Sequence, residues 1–79
     1  MTPLHKAGLR GDVDITRLLI QNDGNVNEPN EYGETPLHYA CKRGHPVNIH
    51  EMIRNGGKIN QTDKQGRNAL HHAASGGGV

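Results

Sequence analysis

Thr35-Pro36-Leu37-His38-Tyr39-Ala40 decides how this chain is read, because the pattern also stands at Thr2-Pro3-Leu4-His5-Lys6-Ala7 and, altered, at Asn68-Ala69-Leu70-His71-His72-Ala73. The intervals are 35 − 2 = 33 and 68 − 35 = 33 residues. The same shift pairs Gly11 with Gly44 and Gly77, Ile20 with Ile53, Asn22 with Asn55, Gly24 with Gly57, Asn27 with Asn60 and Gly33 with Gly66. A fixed period of this length marks one supersecondary unit used repeatedly, each copy burying its apolar face against the next.

Local signals divide each unit into two helices and a turn. Thr2, Thr35 and Asn68 are N-cap residues, and Pro3 and Pro36 follow at the first helical position, where a missing N–H costs nothing. Leu4 and Ala7, Leu37 and Ala40, and Leu70 and Ala73 each lie three apart on one face, with Gly11, Gly44 and Gly77 placed to close the helices. A second helix is expected over Val13, Ile15, Leu18, Leu19 and Ile20, ended by Asn22, Asp23 and Gly24. Its counterpart opens at Pro46, carries Ile49, Met52 and Ile53, and ends at Gly56 and Gly57. Residues 27–34 and 60–67 are polar and contain Gly33 or Gly66, as tight turns require.

Period, motif, caps and the Gly-x-x-Asn endings (Gly24 to Asn27, Gly57 to Asn60) together resemble the ankyrin repeat over essentially the whole chain. The resemblance implies an all-α solenoid of helix-turn-helix repeats joined by β-turn or hairpin connections. Residues 1–79 are read as one array: repeat 1 over 1–29, incomplete at its start, repeat 2 over 30–62, and repeat 3 over 63–79, incomplete at its end. A fragment of a longer array is expected, or else open ends covered by neighbouring copies or a partner chain. Repeat 2 departs from the pattern, since Asn48 and Glu51 occupy the slots of Ile15 and Leu18. Either that helix turns to bury Val47, Ile49, Met52 and Ile53, or Glu51 finds a partner, because a buried lone carboxylate is costly.

Composition narrows the function. The chain has 79 residues, 32% of them apolar, with 11 Gly, no Phe, no Trp and two tyrosines, so its core must be thin and aliphatic. These residues by themselves are too few for a large enzyme. A formal charge of 9 − 8 = +1 gives no overall case for nucleic acid or an anionic membrane. No apolar run approaches the roughly 18 residues of a membrane span. One cysteine, Cys41, closes no internal disulfide, which points to a reducing compartment, cytoplasmic or nuclear.

No catalytic constellation assembles and no cofactor is expected. His5, His38 and His71 share one repeat position on helices expected about 8–10 Å apart, too far to share a metal ion. The family resemblance implies instead that they tie turns to adjacent units. His71 and His72 are successive, and His45 and His50 are five apart rather than the four of a helical metal pair. Cys41 falls where other units have Gly8 and Ala74, a tight packing slot for an inert thiol. The run Gly76-Gly77-Gly78 lacks the Lys and Ser or Thr of a phosphate loop. Asn60-Gln61-Thr62 spells a glycosylation acceptor, but Asn60 is the repeat asparagine, so occupancy is not expected.

Function is therefore sought on a surface. Ankyrin repeats are similar in binding other proteins through a concave face of turn tips and first helices. By position, that face comprises Lys6, Leu9 and Arg10; Glu31, Tyr32, Glu34, Tyr39, Lys42 and Arg43; and Lys64, Gln65, Arg67, His72 and Ser75, which, apart from the equivalent Arg10 and Arg43, differ between units where the framework does not. Tyr32, Tyr39, Lys42 and Arg43 stand out as interface residue types. The reading is a non-catalytic protein-interaction module. The alternative is a regulatory or scaffolding segment of a larger enzyme or channel. The partner is another protein, neither nucleic acid nor membrane, with self-association through uncapped repeat ends as a further expectation.

Overall fold

In the computed structural model, residues 1–75 are described and form five helices: α1 (Pro3–Arg10), α2 (Val13–Gln21), α3 (Pro36–Arg43), α4 (Pro46–Arg54) and α5 (Ala69–Ser75). Helix starts follow the caps. Thr2 accepts from the His5 N–H at 3.3 Å while His5 Nδ1 accepts from the Thr2 N–H at 3.2 Å. Thr35 and His38 repeat this reciprocal box at 3.2 and 3.1 Å, and Asn68 and His71 at 3.1 Å both ways. Histidine thus does what Glu or Gln does in the common capping box. Asp12 caps α2 by accepting from Ile15 N–H at 3.2 Å.

Gly11 and Gly44 close α1 and α3 in the left-handed region, at φ 75° and 67°. At Gly11 a Cβ would also meet the His45 ring at 2.6 Å, so no other residue fits there without displacing it. The Gly77 helix end and the Gly76-Gly77-Gly78 run lie outside the described residues.

Two rows result. α1, α3 and α5 pack side by side as an inner row, while α2 and α4 lie behind α1 and α3 and touch each other. The core between them is Leu4, Val26, Leu37, Ala40, Cys41, Met52 and Ala69, flanked by Leu19, Ile20, Ile49 and Ala73. Leu4 and Leu37 are 3% and 0% exposed, each under the loop that ends its own unit's second helix, at Gly24 and Gly57. Their equivalent Leu70 is 69% exposed, because no described second helix covers it. Burial of this leucine is a property of a full two-helix unit, worth about 1.5–3 kcal/mol each time.

Repeat 2 resolves its own anomaly. α4 keeps the orientation of α2 and buries Asn48, Glu51 and Met52, leaving Val47 and Ile53 exposed. Asn48 Nδ2 donates to Ala7 O at 3.0 Å and to Thr16 Oγ1 at 3.1 Å. Glu51 Oε1 receives Arg17 at 3.2 Å and lies 3.8 Å from Arg54. The partner alternative therefore holds, and rotation of the helix does not occur. Ile15 and Leu18, expected in the apolar stripe of α2, are exposed because their slots face away from α4, on the side where a preceding unit would stack.

Candidate functional site

The inner row and its turns are fastened by a repeating set of bonds. His5 Nε2 donates to Glu34 O and His38 Nε2 to Gln61 O, both at 2.8 Å, so each histidine caps its own helix and grips the next unit's turn or the loop before it. A carbonyl only accepts, so Nε2 carries the proton. Nδ1 faces a backbone N–H and must keep its lone pair. The partners thereby demand the neutral ring, and burial acts in the same direction, pushing both histidines below their ordinary pKa. The linking role implied for His5 and His38 is present, whereas exposed His71 makes only its cap among the described residues.

Asn30 and Asp63, one period apart, organise the two turns. Asn30 Oδ1 accepts from Tyr32 and Glu34 N–H at 2.9 and 3.0 Å, and Asp63 Oδ1 from Gln65 and Arg67 N–H at 2.9 Å each. The other side-chain atom of each reaches the first helix. Asn30 Nδ2 donates to Tyr39 Oη at 2.9 Å, and His72 Nε2 donates to Asp63 Oδ2 at 3.0 Å. Lys64 N–H to Tyr32 O at 3.1 Å joins tip to tip. On the opposite edge, Asn27 donates to Gly56 O and accepts from Lys58 N–H, both at 2.9 Å.

Three predicted surface residues belong to this framework rather than to a free face. His72 is 1% exposed, stacked on the His38 ring at 4.8 Å and bound to Asp63. Glu34 is 8% exposed and accepts the Tyr39 hydroxyl at 2.7 Å. Tyr39 is half-buried, edge-on to His5 at 5.9 Å. Burial and the bond to Glu34 push its phenol up to about 12. Position 39 and position 72 thus each seat an aromatic ring on the preceding unit's framework histidine. The signal was present in the sequence as Asn30 and Asp63, two turn-forming side chains 63 − 30 = 33 residues apart.

The remaining positions are accessible. Lys6, Arg10, Glu31, Tyr32, Lys42, Arg43, Lys64, Gln65 and Ser75 are exposed, and Leu9 and Arg67 are half-buried. Tyr32 and Arg67, with Glu34, Lys64 and Gln65, line a recess of about 200 Å³ between the two tips. Arg67 Nε donates to Asp63 Oδ2 at 3.1 Å. Burial of Asp63 opposes its ionisation, but the four N–H donors around it prevail and hold the carboxyl well below the usual range.

Glu34, Asp63 and His72 bring one ligand-type atom each within 4.8 Å of one another. All four lone-pair directions of Asp63 are already taken, and Glu34 is held by Tyr39. The group is a turn lock, and a cation would have to break it to enter. Cys41 is buried with its thiol pushed up by burial, in the tight slot expected: at the equivalent Gly8 a Cβ would lie 2.7 Å from Pro36 O. No described helix is long and apolar enough to cross a membrane.

A family model of ankyrin repeats (three copies) matches residues 1–63. The crystal structure of the human ASB11 ankyrin repeat domain superposes with a TM-score of 0.94 at 29% identity, covering 100% of this chain and 36% of that one. The chain thus spans about a third of the length of that domain's chain. No curated protein matches it. The 33-residue period, the paired caps, the two helical rows and these likenesses agree, and the chain belongs to the ankyrin-repeat family.

Proposed function

We propose that this chain works as a protein-binding module whose rigid inner row and turn tips present Arg10, Tyr32, Lys42, Arg43, Lys64 and Gln65 to a partner polypeptide. Ankyrin repeats generally mediate protein–protein interaction. The observation supporting the reading here is that Arg10, Tyr32, Lys42, Arg43, Lys64 and Gln65 are exposed on first helices and turn tips, while the bonds behind them repeat from unit to unit. Such a face starts with its backbone already ordered, which lowers the entropic cost of association. The same surface serves if the array is the regulatory part of a larger enzyme or channel. A buried, free Cys41 supports work in the reducing cytoplasm or nucleus.

Selection from a random peptide display library provides the test. Clones should be enriched by the wild-type chain, and should bind Tyr32→Ala/Arg43→Ala about tenfold or more weakly. Clones indifferent to that change but sensitive to Asp14→Arg on the outer row would move the site. No enrichment at all would remove the proposed function.

A further inference from the structure

The formal charge of +1 hides a marked separation of charge. Arg10, Lys42, Arg43 and Lys64 are exposed on the first helices and a turn tip, and none forms an ion pair with a described residue. The acids of the same region are largely withdrawn. Glu34 and Asp63 are buried and held by Tyr39, His72 and Arg67, which leaves Glu31 as the exposed carboxylate at the tip. Behind, the balance reverses. Asp14 and Asp23 are exposed on the outer row and at its end, while Arg17 and Arg54 both face Glu51; Asp12 lines one recess with Lys6 and Arg10. Unpaired cations held on one rigid face focus a positive potential that both steers and selects a partner.

We infer that the partner, within the protein-binding reading above, engages this face through an acidic polypeptide segment whose carboxylates meet Arg10, Lys42, Arg43 and Lys64. A polypeptide fits better than a nucleic acid. A duplex carries one charge per about 1.7 Å without interruption, and a phosphate chain following the tips would run onto Glu31 and past Glu34. An acidic segment can place an uncharged or basic residue opposite Glu31 and stack an apolar side chain on Tyr32, which is 62% exposed.

The random display library separates this inference from the function it rests on, with labelled clones measured by fluorescence anisotropy against three variants. Enriched clones should be rich in Asp and Glu, should bind Lys42→Glu/Arg43→Glu and Arg10→Glu/Lys64→Glu about tenfold or more weakly, and should weaken as salt rises. Lys58→Glu, which reverses an exposed cation off this face, should change binding less than about twofold, and helical circular dichroism should be unchanged in all three. A loss of log affinity from Lys58→Glu half as large as that from Lys42→Glu/Arg43→Glu, or larger, would reduce the effect to overall charge and overturn the inference. Clones without an acidic excess that still need Tyr32 and Arg43 would overturn it and leave the binding function intact. A short duplex DNA that displaces the clones at lower concentration than the clones displace each other would replace the acidic segment with nucleic acid.

Discussion

Replacing the three equivalent histidines one at a time should give three different penalties from one sequence position. His38 is 1% exposed, and His38→Ala removes its cap bond to Thr35, its bond to Gln61 O and the ring stacked under His72. Two bonds at about 1 kcal/mol each, plus about 1–2 kcal/mol for the lost buried ring, give about 3–4 kcal/mol. His5→Ala should cost nearly as much, since His5 is 0% exposed and bonds to Glu34 O. His71→Ala loses only an exposed cap and should cost about 0.5–1 kcal/mol. His38→Gln separates the two roles, because Gln can restore the cap but not the reach to Gln61, and should recover about half the loss. A chain of this size with no Phe or Trp holds only about 3–5 kcal/mol. Urea midpoints by circular dichroism are therefore best read with trimethylamine oxide added to all variants alike. Equal penalties at His38 and His71, or full recovery in His38→Gln, would show that the histidine serves its own helix alone and would refute the linking role.

Other expectations follow from the same bonds. Stability should be full above about pH 6.5 and fall as pH drops through that value, because folded His5 and His38 resist protonation while the unfolded rings accept it. A second fall should begin below about pH 4, where unfolded Asp63 takes a proton that the folded carboxylate refuses; Asp63→Asn should abolish that second step in a urea-pH series. Tyr39→Phe leaves buried Glu34 without its hydroxyl donor and should cost about 1.5–3 kcal/mol, and in wild type one phenol should titrate near pH 12 by absorbance at 295 nm. Glu51→Leu places in α4 the residue type α2 has at that slot, and should be neutral or mildly stabilising, since its partners Arg17 and Arg54 are 51% and 66% exposed and return to water when the carboxylate goes; a loss above about 2 kcal/mol would contradict this. Asp23 is the one non-glycine at positive φ among the described residues, 67°, where repeat 2 has Gly56; Asp23→Gly should raise the urea midpoint by the equivalent of about 0.5–1 kcal/mol.

The period made most of the architecture legible, because a motif that recurs with its cap, its proline and its glycine reports backbone conformation directly. Thr2, Pro3, Gly11 and their partners behave as their local chemistry dictates. What escaped was set by neighbours. Asn48 and Glu51 look misplaced until Thr16 and Arg17 are seen opposite them, and the sequence places those residues 32 and 34 positions away without saying that they meet. Variation between units misled at Glu34, Tyr39 and His72, because positions 39 and 72 hold different residues that do the same work, each laying a ring on the histidine before it. The accessible face was legible at the tips and helix ends, where no neighbour intervenes.

The contacts of Asn48 and Glu51 also bear on how such a chain tolerates rearrangement. A helix with plain aliphatics in these slots could stack behind almost any copy, so units could be shuffled or duplicated freely. This one asks for a hydroxyl and a guanidinium from its predecessor, and even there one Asn48 oxygen goes without a bond. Moved elsewhere in the array, it would carry two bare polar groups into an oily seam. The outer row thus records the order of the copies.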